Sequence, residues 1–152
     1  MNLTNLFEVQ TKFENEFIGK LNKNEILPMT KKLLLVQAEL GSLAKEAGCC
    51  NFLNVNDESK ENIFEKYISC LHLILTIGVE KKYSIVDIES KLPEVDLVQQ
   101  FLNLFIDLND YIVCAYEDHY LTLLEDFLSL GLSFGFLEDQ ILMGCKSIYQ
   151  YN

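Results

Sequence analysis

The sequence predicts an all-α protein, a bundle of about five to six helices in one domain spanning residues 1–152. Apolar residues recur at three- and four-residue steps along most of the chain, the spacing that lines one helical face. No segment has the two-residue alternation of a strand, and there is no internal repeat or low-complexity tract. Only seven Gly and two Pro interrupt 152 residues that are 49% hydrophobic, enough apolar material for a real core with few breaks.

The first helix is predicted over Leu3 to Leu21, where Leu6, Phe7, Val9, Phe13, Phe17 and Ile18 fall at helical spacing; Asn22 to Glu25 is a polar turn. Pro28 sits near the start of the second helix, where a missing N–H costs nothing. That helix runs to about Ala47, and Gly48 follows as a residue suited to leaving a helix. Leu33 to Val36 is apolar on every side, which predicts that this helix is surrounded by others or lies at a subunit contact. Cys49 to Asn56 is a loop, and Asn56 or Asp57 caps a third helix running to about Lys82. Its seam is Phe64, Ile68, Leu71, Leu75 and Val79, and the mostly apolar Leu71 to Ile77 calls for deep burial. Tyr83 to Asp96, with Ser84 and Pro93, is a connection with little regular structure. A fourth helix covers Leu97 to about Tyr116, a fifth runs from Glu117 or Asp118 to the Gly131–Gly135 region, and a last one covers Leu137 to Tyr149.

The net charge of -11 argues against direct binding of nucleic acid, which needs a basic surface, and leaves open a basic protein surface or a metal. The five cysteines lack paired metal-ligand spacing. Cys70, Cys114 and Cys145 lie inside apolar helical patterns and are predicted as small buried hydrophobes, while Cys49 and Cys50 belong to a loop. There is no phosphate-binding glycine loop, and neither His72 nor His119 has a partner visible in the sequence. No basic-then-apolar leader is present, and charged residues cut the apolar stretches short of a membrane span, so no membrane and a cytoplasmic location with reduced thiols are expected.

One polar line remains inside these apolar helices. Glu39, Ser42 and Glu46 share a face of the second helix, and Lys66, Ser69 and Thr76 share a face of the third, with Asn62 just ahead. Facing helices with polar residues in apolar walls are a common way to build a site in a bundle.

These segments carry a resemblance. QAELGSLAKE (Gln37 to Glu46) and EKYISCLHLIL (Glu65 to Leu75) resemble the dimeric all-α dUTPases, members of the wider all-α NTP pyrophosphohydrolases that include MazG-type proteins. The opening LFEVQTKF (Leu6 to Phe13) and the late LGLSFGFLEDQI (Leu130 to Ile141) are similar too. The resemblance implies an ExxE motif on one helix and ExxD on the next, whose carboxylates hold magnesium ions that grip a triphosphate and activate water. It also implies that a glutamine matching Gln10 faces nucleotide, with Asn51 standing at a family lysine and Lys146 and Ser147 at a late lysine–asparagine pair.

Set against that pattern, Glu39 keeps its acid, but Ser42 replaces the second glutamate, Lys66 the third and Ser69 the aspartate. The former catalytic site is therefore Glu39, Ser42, Lys66 and Ser69. Lys66 is expected to pair with Glu39, with Ser42 and Ser69 hydrogen-bonding across the old site. Two readings follow. In the first, the chain has lost hydrolysis, needs no cofactor and acts as a regulatory or protein-binding module. Relatives encoded by phages bind repressor proteins as well as nucleotides, so the resemblance implies a basic protein partner such as a repressor. In the second, it is a working magnesium-dependent pyrophosphohydrolase that splits dUTP to dUMP and pyrophosphate. Glu39 is then a metal ligand, with Glu46, Glu61 or Glu65 as substitute carboxylates. In both, the resemblance implies a homodimer.

Overall fold

A computed structural model describes residues 3–18, 27–49, 60–83 and 88–148. Among the described residues the chain forms helices α1 (Leu3–Ile18), α2 (Met29–Glu46), α3 (Lys60–Lys81), α4 (Leu97–Val113), α5 (Glu117–Ser133) and α6 (Glu138–Ile148), with no strand. The all-α expectation is met. The predicted turn after the first helix and the Asn56 or Asp57 cap lie outside the described residues.

α3 is the axis of the bundle and packs against α1, α2, α5 and α6, while α4 lies across α5 and α2. Its composition and its 22-residue length are those of a helix able to cross a bilayer. Here Tyr67, Cys70, Leu71, Ile74, Leu75 and Ile77 are buried against its neighbours, so that apolarity fills the core.

The ends follow local chemistry. Pro28 is the N-cap of α2, and Gly48 leaves that helix at φ 76°. The Asp96 carboxylate accepts the Gln99 backbone N–H at 2.8 Å and starts α4. Gln140 Oε1 reaches back to the Leu137 backbone N–H at 2.9 Å, the reciprocal half of a capping box at α6. α4 stops at Val113, short of Tyr116, and Cys114 is its C-cap. The His119 ring Nδ1 faces the exposed carbonyls of Asp110 and Cys114 at 3.2 and 3.0 Å, closing the α4–α5 corner. Cys114 is consequently exposed, against the prediction of a buried hydrophobe, whereas Cys70 and Cys145 are buried as expected.

α3 and α5 interlock reciprocally. The Tyr67 hydroxyl donates to the Phe127 carbonyl at 3.3 Å, and the Tyr120 hydroxyl donates to the Ile74 carbonyl at 2.8 Å. Each tyrosine lies over a glycine one turn beyond its acceptor: a Cβ on Gly131 would stand 2.7 Å from Tyr67 Cζ, and one on Gly78 would stand 2.7 Å from Tyr120 Cζ. A side chain at either position would cover the carbonyl that the hydroxyl reaches. Tyr67 also stacks on Phe127 with centroids 4.8 Å apart. Burial raises both phenols well above their ordinary range, so they remain donors.

The stretch Leu33 to Val36 is covered on one side only. Val36 is buried, but Leu34 is 66% exposed and Leu35 is open as well. On α4, Val98, Leu102 and Ile106 are exposed apolar residues spaced about one turn apart.

Candidate functional site

Three polar neighbourhoods surround α3. The first is its seam with α2. Lys66, half-buried, donates from Nζ to Ser42 Oγ at 3.0 Å. The expected Lys66–Glu39 ion pair does not form: among the described residues the ion pairs are Lys32–Glu80 and Lys91–Glu89. Glu39 instead lies near Cys70, whose buried thiol it helps hold in the neutral form. Helix geometry explains the difference. Glu39 and Ser42 lie about 60° apart around α2, so one ammonium reaches one of them more readily than both.

The second neighbourhood joins α1 to α3. Gln10 is fully buried, and its Nε2 donates to Glu14 Oε1 at 2.9 Å and to Thr76 Oγ1 at 2.8 Å. Its Oε1 lies 3.1 Å from His72 Nδ1 and accepts from it. Thr76 Oγ1 donates to Glu14 Oε1 at 2.8 Å, with the His72 carbonyl as a second acceptor at 3.0 Å. Burial lowers the His72 imidazole below its ordinary value, against the opposing pull of Glu14. The residue expected to face nucleotide thus has both ends of its carboxamide engaged inside the chain. Gln10 was legible as a polar residue in an apolar helix, but its partners His72 and Thr76 lie more than sixty positions away.

The third neighbourhood is the groove between α3 and α6. Glu65, Ser69 and Ser147 line a pocket of about 260 Å³ floored by Phe64, Ile68, Gly144 and Ile148. It adjoins a cleft of about 660 Å³ lined by Lys60, Glu61, Phe134, Phe136, Gln140 and Met143 among others. That volume lies within the range of small-molecule sites. Ser69 is exposed there and its hydroxyl donates to the Glu65 carbonyl at 2.9 Å, within its own helix. Of the two serines expected to bond across the old site, Ser42 does so by accepting from Lys66, and Ser69 does not. A Cβ on Gly144 would press on Ile68 at 2.8 Å, so glycine is what lets α6 approach α3.

The predicted residues therefore separate. Glu39, Ser42 and Lys66 stay on the α2–α3 seam, while Glu61, Glu65 and Ser69 face the α6 side. Glu46 is half-buried near the end of α2, Lys146 is exposed on α6, and Asn51 lies outside the described residues.

A sequence profile described as dUTPase matches residues 2–151. The chain belongs to the dUTPase family. No curated protein and no solved structure is matched by it.

Enzymes of the dUTPase family generally use magnesium, which the resemblance implies is held at the positions of Glu39, Ser42, Lys66 and Ser69. Magnesium demands hard oxygen ligands, several of them charged. At these positions the chain offers the Glu39 carboxylate and the Ser42 and Ser69 hydroxyls, with the Lys66 ammonium bonded to Ser42. Among the described residues no three His, Cys, Asp or Glu side chains are grouped so as to hold a metal ion. The donor set does not fit a divalent cation.

Proposed function

We propose that this dUTPase-family chain has lost metal-dependent hydrolysis and acts by binding, as a homodimer that docks a basic protein partner. The observation that carries the reading is the Lys66–Ser42 hydrogen bond. It fills the α2–α3 seam with a cation and a hydroxyl at two positions where the family's chemistry calls for acids. An ammonium there repels the ions that would polarise a triphosphate.

The binding reading draws on two surfaces. The chain carries a net charge of -11, which favours encounter with a basic partner such as the DNA-contacting face of a repressor. Val98, Leu102 and Ile106, about one turn apart on α4, form an exposed apolar strip. Two copies of an acidic chain can meet there without juxtaposing like charges. The α3–α6 groove, with Glu65, Ser69 and Ser147 beside an aromatic-lined cleft, is the place for a nucleotide if one is retained.

Pyrophosphate release from dUTP and a panel of NTPs, with magnesium, is the deciding assay. No release is expected from the native chain, nor heat on titration with magnesium alone. The double variant Ser42→Glu, Lys66→Glu, which adds two carboxylates to Glu39 on the α2–α3 seam, is expected to gain magnesium affinity. Turnover by the native chain that disappears in Glu39→Gln would overturn the proposal. For the assembly, light scattering is expected to report a dimer, and Leu102→Glu with Ile106→Glu a monomer.

A further inference from the structure

The edge where α4 meets α5 carries a buried oxygen that no protein donor reaches. Asp107 of α4 encloses its Oδ2 in this contact without a hydrogen-bond partner. Across from it, within hydrogen-bonding reach, is the carboxyl of Asp126 on α5, and Asp110 is one turn further along α4. The charges acting on Asp107 are thus all of its own sign. Two carboxylates cannot both stay ionised at such range, and an enclosed acceptor left bare is costly.

We infer that Asp107 and Asp126 share one proton, so that the α4–α5 contact is closed by a carboxyl–carboxylate hydrogen bond that opens when the proton leaves. Asp107 is the protonated partner. Its oxygen is the enclosed one, and a neutral O–H there donates to a carboxyl oxygen of Asp126. Burial first, and then Asp126 and Asp110, push the Asp107 carboxyl up to about 7. The sign is that of a raised acid. In the unfolded chain Asp107 ionises near 3.8, so its contribution is complete below that value and is lost as pH rises through about 7. The other charged groups acting on it are Asp126 from α5 and Asp110 from its own helix. His119, at the α4–α5 corner, faces the Asp110 and Cys114 carbonyls.

The bond exists only while a proton is present, so the device reports neutral pH through the firmness of one helix pair. Side-chain carbon NMR of the native protein is the direct test. One aspartate is expected to titrate with a midpoint near neutrality, and that titration should be gone in Asp107→Asn. Unfolding equilibria should agree: between pH 5 and 8 the native constant is expected to shift toward unfolding by up to roughly a hundredfold, reduced by solvent screening because the carboxyl is only half-buried. Asp107→Asn, whose amide donates at every pH, should flatten that shift, and Asp110→Asn should leave most of it. If Asp107→Asn does not fold, Asp126→Asn serves, because an amide donor there lets Asp107 ionise in the acid range. Native spectra in which every aspartate titrates below pH 5 would overturn the inference, as would a pH dependence unchanged in both asparagine variants.

Discussion

Toward α5, α3 presents tyrosine and glycine in matched positions; toward α1 and α2 it presents a hydroxyl, an imidazole and an ammonium. The α5 seam is closed by two phenol-to-carbonyl bonds inside an aromatic stack, with Tyr67 and Tyr120 fully buried. The opposite side holds the Gln10–Glu14–His72–Thr76 cluster and the Lys66–Ser42 bond. One side therefore gains its stability from shape, the other from polar groups that satisfy one another. On the polar side a side chain can be exchanged without moving backbone. The shape-determined side tolerates no added carbon.

The sharpest way to break the contrast is Gly131→Ala. Its new Cβ meets the Tyr67 ring, and a loss of about 3 kcal/mol is expected in chemical denaturation. On the polar side, Thr76→Val keeps volume but strips the hydroxyl that accepts from Gln10, and about 2 kcal/mol should be lost. Gly41→Ala sharpens the comparison in the other direction. Its Cβ would have Phe105 at 4.0 Å, ordinary contact, so a gain of up to about 1 kcal/mol in helix stability is expected. Lys66→Ala removes a half-buried hydrogen bond to a hydroxyl and strands no carboxylate, so a loss of about 1 kcal/mol or less should appear. The gentlest probe is acid. Burial holds the His72 imidazole below its ordinary value of 6.5, so the unfolded chain takes up a proton before the folded one does. Stability present above about pH 6.5 should therefore fall on acidification, and His72→Gln should blunt the fall in thermal melts.

Much of the fold was legible because it rests on local chemistry. Pro28, Gly48 and the start of α4 beside Asp96 mark ends in the sequence as they do in the structure. Periodicity likewise located Leu71 and Leu75 in the core. What escaped depends on which helix lies beside which. Lys66 shares a face with Ser69 in sequence, yet the long side chain of Lys66 turns to α2 while the short Ser69 hydroxyl folds back on its own helix. Cys114 belongs to an apolar pattern, but the helix ends just before it, and a cap residue is not held in a core. The tyrosine–glycine interlock had a signal that composition hides: Tyr67 to Gly78 and Tyr120 to Gly131 have the same separation, close to three helical turns, so each pair shares a face.

That repeated separation makes the two helices a ruler for each other. Sliding α5 by one turn along α3 would carry both hydroxyls off their carbonyls at once and drive both rings against residues that bear side chains. Because the helices run in opposite directions, no smaller slip corrects one end without spoiling the other. The bundle's central pair is thereby keyed like a lock with two notches, and the remaining helices inherit their placement from it.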